Sequence, residues 1–232
     1  MSDDRNRSRR EFVERMTAGA LAIGVGAGSF PSVAGAASMH SVKPNDAWLN
    51  GIKGNHAQIF DMPSNGGGFP LFHVLNYIDT YKGAFGLTTP NVVAIVSLYS
   101  MTTPAGFNDA MWAKYPFGAA TSTLTRDSKT PVMRNPFLAP APGTQTMGID
   151  GGPIDVPATA TIAALQPRGA RFILCNNAFN FWVQRLAQGG AGKEADIRAE
   201  LERNMIPGVT IVPAMVIAFN QAQTAGASYM HL

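Results

Sequence analysis

Apolar and polar positions alternate between two periods along this chain. "HAQIFD" (56–61) reads as a short strand, and "MPSNGGG" after it as a flexible turn. In "FPLFHVLNYIDTYKGAFG", Phe69, Phe72, Leu75 and Ile78 fall three apart with Val74 beside them, and Pro70 suits a first helical turn. The unbroken run "NVVAIVSLYS" (91–100) has strand length and many β-branched residues, the mark of a central strand covered on both faces. "TTPAGFNDAMWAKY" (102–115) reads as a loop entering a short helix capped by Asn108–Asp109.

The pattern then lapses. Residues 116–156 hold six prolines, many Gly and Thr, and little periodicity. Phe117, Leu124, Met133, Phe137, Leu138 and Met147 are apolar anchors that a pure linker would not need, so the segment is expected to pack on the domain or on a neighbouring subunit. Periodicity returns with a helix over 157–166, a strand over 170–175 ("ARFILC") and a helix after "CNN". In "EADIRAELERNM", Ile197, Leu201 and Met205 form one stripe, with Glu194–Arg198 and Arg198–Glu202 pairs on the other face. The chain closes with a strand, a Pro-started helix, a Gly226 stop and a last strand. Strands alternating with helices predict a layered α/β fold.

The first 36 residues do not belong to that pattern. "RNRSRREFVERM" is charged, "TAGALAIGVGAGSF" is weakly apolar, and "SVAGAAS" offers a small-residue cleavage site after Ala36. The order Ser-Arg-Arg-x-Phe resembles a twin-arginine export signal, which implies a periplasmic protein. The apolar stretch is too short and Gly-rich for a membrane span. Residues 37–54 read as a polar, turn-rich arm, leaving 55–232 as the domain. With 18 Lys and Arg against 15 Asp and Glu, and no basic block, nucleic acid is not an expected partner.

Cys175 is the single cysteine, so no internal disulfide forms. It ends a strand, where open α/β sheets bind ligands. Asn176 or Asn177 is suited to cap the following helix, which would set the thiol beside free amides and the positive end of a helix dipole. A thiolate there attacks sulfur or carbon electrophiles, or carries sulfane sulfur as a persulfide. The other reading is a buried cysteine, since free Cys packs as a small apolar residue. His73, one turn into the first helix, and Tyr99, at the end of the apolar run, are further binding candidates at the strand-end cleft, with Asn176 and Asn177. "SNGGG" has backbone suited to approach a phosphate but matches no phosphate-loop pattern. His40, His56 and His231 are scattered, and no His, Cys or carboxylate spacing suggests a metal, so neither metal nor cofactor is expected.

The tail carries a resemblance. Cys175, Pro207, Gly208, Val209, Val212, Pro213, Gln223, Gly226 and Tyr229 stand in an order that resembles the carboxy-terminal half of the DsrE/DsrF-like family, over roughly residues 168–232. That resemblance implies a small three-layer α/β/α domain with a mostly parallel sheet, a homo-oligomer, and sulfur-relay chemistry at Cys175 with a small sulfur compound or a partner thiol protein. The export signal, the Pro-rich 116–156 segment, the doubled asparagine and the aromatic "FNFW" depart from the family pattern. Three functional readings follow: a sulfane-sulfur or redox thiol, a non-enzymatic oligomeric module with a structural cysteine, and a cofactor-binding protein using "SNGGG".

Overall fold

The computed structural model describes residues 41–125, 129–139, 147–149, 152–154 and 157–232. The expectations for residues 1–36 lie outside them. The first strand, β1 (His56–Asp61), leads into helix α1 (Phe69–Phe85). Gly68 enters the helix at φ 92 and Gly86 leaves it at φ 67, left-handed values that glycine adopts without a Cβ penalty. The buried face of α1 is Leu71, Val74, Leu75 and Ile78, whereas Phe69 and Phe72 stand about two-fifths exposed. A strict three-residue spacing drifts round a 3.6-residue helix, so the first two aromatics of the expected stripe leave the core.

Strand β2 (Val92–Leu98) is buried at every position. A 3-10 segment (Ser100–Gly106) and helices α2 (Asp109–Lys114) and α3 (Phe117–Ala120) follow. The Pro-rich stretch then supplies a short hairpin, β3 (Met147–Ile149) antiparallel to β4 (Gly152–Ile154). The expected 157–166 helix is broken: extended Thr161 separates a 3-10 turn (Ala158–Ala160) from α4 (Ile162–Leu165). The rest is β5 (Ala170–Cys175), α5 (Asn176–Gln188), α6 (Glu194–Arg203), β6 (Thr210–Val212), α7 (Met215–Thr224) and β7 (Ser228–His231).

Five of these strands form one sheet in the order β6–β5–β2–β1–β7, every neighbouring pair parallel. From β1 the chain steps to β2, β5 and β6 in one direction, and right-handed crossovers put the intervening helices on one face. Residues of α1, α2, α4, α5 and α6 accordingly share a core with Phe60, Val96 and Phe172. The connection from β6 to β7 returns across the whole sheet, so α7 lies on the opposite face with Ile59, Ile95 and Ile173. The fold is thus a three-layer α/β/α domain with an all-parallel main sheet.

The 37–54 arm and the Pro-rich segment both belong to these layers. In the 37–54 arm, Trp48 and Ile52 are buried in the α7-side core, and Arg171 donates to the Trp48 and Asn50 carbonyls at 2.8 and 2.5 Å. In the Pro-rich segment, Phe117, Val132 and Phe137 are buried, and Phe117 stacks on Phe107 and meets Trp112 and Trp182 edge-on, at centroid distances of 5.6–5.9 Å. Asn135, 1% exposed, donates to the Ala105 and Phe107 carbonyls and accepts the Phe137 amide. The segment packs on its own domain where described. Met133, expected to be an anchor, is 58% exposed.

Candidate functional site

Adjacent strands β5 and β6 send their chains to opposite faces, β5 to α5 and β6 to α7. That is a topological switch point, where parallel sheets bind ligands at their carboxyl ends. Cys175 and Val212 are paired there. Side-chain alternation turns Cys175 to the α7 side, where its Sγ accepts the Met215 amide at 3.3 Å and the residue is 5% exposed. Met215 is the first residue of α7, so a free N-terminal amide of that helix is spent on the sulfur.

The two asparagines do not cap α5. Cys175 itself holds the N-cap position, and no side-chain cap bond is made. Asn176 is buried because its Oδ1 accepts Arg198 Nη2 at 2.8 Å, while Asn180 Oδ1 accepts Arg198 Nη1 at 2.5 Å. Arg198 also donates Nε–H to Glu202 at 2.9 Å and lies 4.5 Å above the Phe179 ring. This arginine is 6% exposed, not on a solvated face as its charge spacing suggested. Burial pulls its guanidinium below the ordinary value, against the opposing effect of Glu202. Asn177 is exposed.

Tyr99 is brought to the thiol's side. Leu98 is level with Leu174, so the next residues, Tyr99 and Cys175, stand at the same height on neighbouring strands. Both belong to the α7-side core. The Tyr99 hydroxyl donates to Asp61 Oδ1 at 2.7 Å. Asp61, 4% exposed at the end of β1, also accepts the Tyr229 hydroxyl, and its Oδ2 lies 3.0 Å from His231 Nδ1. Phe219 of α7 meets the rings of Tyr99 and Tyr229 edge-on at 5.9 and 5.5 Å. A band therefore runs along the α7 side of the sheet, from Cys175 through Tyr99 and Asp61 to the more exposed Tyr229 and His231.

Charge and burial in this band hold the phenols neutral. Burial first, then the bond to Asp61, raise Tyr99 well above the ordinary tyrosine value. Tyr229 is pushed up to about 12, chiefly by its hydrogen bond to Asp61. Sequence reasoning missed Asp61 and left His231 among scattered histidines. The available signal was a carboxylate ending an apolar strand, the position where a parallel sheet presents functional groups.

His73 is not part of this arrangement. It sits on α1, across the sheet from Cys175, edge-on to Phe69 at 4.7 Å. In the "SNGGG" turn, the Gly67 amide is taken by Asn65 Oδ1 at 3.0 Å, and Asn65 Nδ2 reaches Thr123 Oγ1. Among the described residues, no group of three or more His, Cys, Asp or Glu could hold a metal ion, and no helix is long and apolar enough to cross a membrane. Set against family models, curated proteins and solved structures, the chain matches no family, no curated protein and no solved structure.

Proposed function

We propose that this chain is a DsrE/DsrF-like sulfur carrier in which Cys175 takes up sulfane sulfur as a persulfide and passes it on. One observation carries the reading: the only cysteine lies at the topological switch point, with its sulfur hydrogen-bonded to the first amide of α7. An amide donor at a helix N-terminus is a hydrogen-bond partner for a sulfur nucleophile and for a sulfur atom bound to it. The Cys175 thiolate attacks a sulfur atom of an inorganic polysulfide. The donor S–S bond breaks, the shortened polysulfide leaves with the electron pair, and Cys175 keeps one sulfur. With no second cysteine, an external thiol must attack that sulfur to release Cys175 as thiolate. The twin-arginine-like amino terminus and the family resemblance support an exported, periplasmic homo-oligomer.

The test is intact-mass spectrometry of the full chain after incubation with polysulfide. The expected result is a gain of one or more sulfur atoms on the wild type, removed by added thiol and absent from Cys175→Ser. An unchanged wild-type mass refutes the carrier. A second reading, a non-enzymatic module with a structural cysteine, is favoured by the 5% exposure of Cys175. Under it Cys175 takes no sulfur and is alkylated only after unfolding.

A further inference from the structure

A second feature lies at the far end of α5. There, Pro116, Ala119 and Ala120 face Trp182, Arg185 and Leu186 across a cleft of about 410 Å³. Small-molecule sites begin at roughly 300 Å³, so the volume suits a compact organic ligand. Helix α5 rises about 1.5 Å per residue, which puts Trp182, Arg185 and Leu186 roughly 10–17 Å along the helix from Cys175. It also opens on the opposite side of the sheet: Trp182 and Leu186 belong to the α1-side core and Cys175 to the α7-side core. The cleft is no part of the thiol site.

Its polarity is one-sided. The last-turn carbonyls that a helix end usually leaves open are taken here: those of Arg185, Leu186 and Ala187 accept the amides of Gly189, Ala191 and Gly190 at 2.9–3.0 Å. The Trp182 indole N–H is likewise committed, to the Ser100 carbonyl at 2.9 Å. What remains for a ligand is an apolar wall and the Arg185 guanidinium, 5.8 Å from the Trp182 ring centroid. The ion pairs among the described residues involve Lys114, Arg134, Arg168, Arg198 and His231, and Arg185 is in none of them. An apolar wall with, among the described lining residues, one exposed cation complements a molecule with a hydrocarbon body and one anionic head, because a guanidinium binds a carboxylate through paired, charge-assisted hydrogen bonds.

We infer that this cleft is a binding site for a small amphiphilic carboxylate, its chain against Trp182 and Leu186 and its head on Arg185. The experiment is calorimetric titration of the full chain with decanoate below its micelle concentration, beside decan-1-ol and decyltrimethylammonium. Decanoate is expected to bind saturably at one site, decan-1-ol more weakly, and the cation not at all. Arg185→Gln should weaken decanoate at least tenfold and leave decan-1-ol unchanged. Ala119→Trp, a substitution at an exposed position, should fill the cleft and remove both. Equal binding of the three probes, decanoate binding that survives either variant, or no saturable decanoate binding each overturns the assignment.

Discussion

Arg198 holds the start of α5 against α6, and Arg198→Ala tests how much of the Cys175 environment depends on it. The substitution removes two buried, charge-assisted hydrogen bonds, to Asn176 and Asn180. Bonds of this kind contribute about 1.5–3 kcal/mol each. It also removes the guanidinium above Phe179, about 1–2 kcal/mol when desolvated. The Glu202 pair adds only about 0.3–0.5 kcal/mol, because Glu202 is 39% exposed and the pair is solvent-screened. Alanine also relieves the cost of burying the cation, which offsets part of the sum. The net expectation is a loss of about 3–5 kcal/mol. In a domain of this size each kcal/mol lowers Tm by about 2–4 °C. Urea denaturation followed by circular dichroism gives the free energy, and a thermal scan the shift. Because Asn176 follows Cys175 directly, iodoacetamide should also label native Arg198→Ala faster than wild type. A loss under about 1 kcal/mol, with unchanged labelling, would show that the buried arginine does not organise this end of α5.

Three further outcomes are expected. Gly118→Ala should destabilise by about 1–3 kcal/mol in denaturant titration, since a Cβ there would sit 2.3 Å from the Val132 carbonyl oxygen; an unchanged midpoint would contradict the packing of the Pro-rich segment. Gly83→Ala, in α1, meets nothing within 4 Å and should stabilise by about 0.5–1 kcal/mol in the same assay; a loss of stability would contradict the exposed helical environment. Asp61→Asn should bring the Tyr229 ionisation down from about 12 toward the ordinary tyrosine value, read by ultraviolet difference titration, and no movement would remove Asp61 as the cause. The folded state raises both Tyr99 and Tyr229, so their contribution is complete below about pH 10 and is lost as pH rises through the folded values; in Asp61→Asn that contribution is smaller.

Elements whose burial follows from local pattern were legible in the chain. Val92–Leu98 reads as a central strand because a run apolar at every position needs cover on both faces, and β1, β5, α1 and α6 follow from period and turn chemistry. Cys175 at a strand end was legible on the same terms, whereas Tyr99 becomes its neighbour only through the β2–β5 register. What local pattern does not encode is which neighbour a polar side chain meets. Arg198 looks like a surface charge in its helix, yet it lies against α5 because α6 packs there and two asparagines 18 and 22 residues away supply acceptors. Asn176 looks like a cap, yet tertiary contact takes its oxygen inward. Asp61, Tyr99, Tyr229 and His231 are spread over 170 residues. Tyr99 reaches Asp61 because β2 pairs with β1, and Tyr229 and His231 join them because the last crossover returns β7 to the free edge of β1. Sequence determined where strands and helices form, since hydrophobic period is a property of a few neighbouring residues. The band on the α7 side of the sheet was decided by strand order and crossover direction, which depend on the chain as a whole.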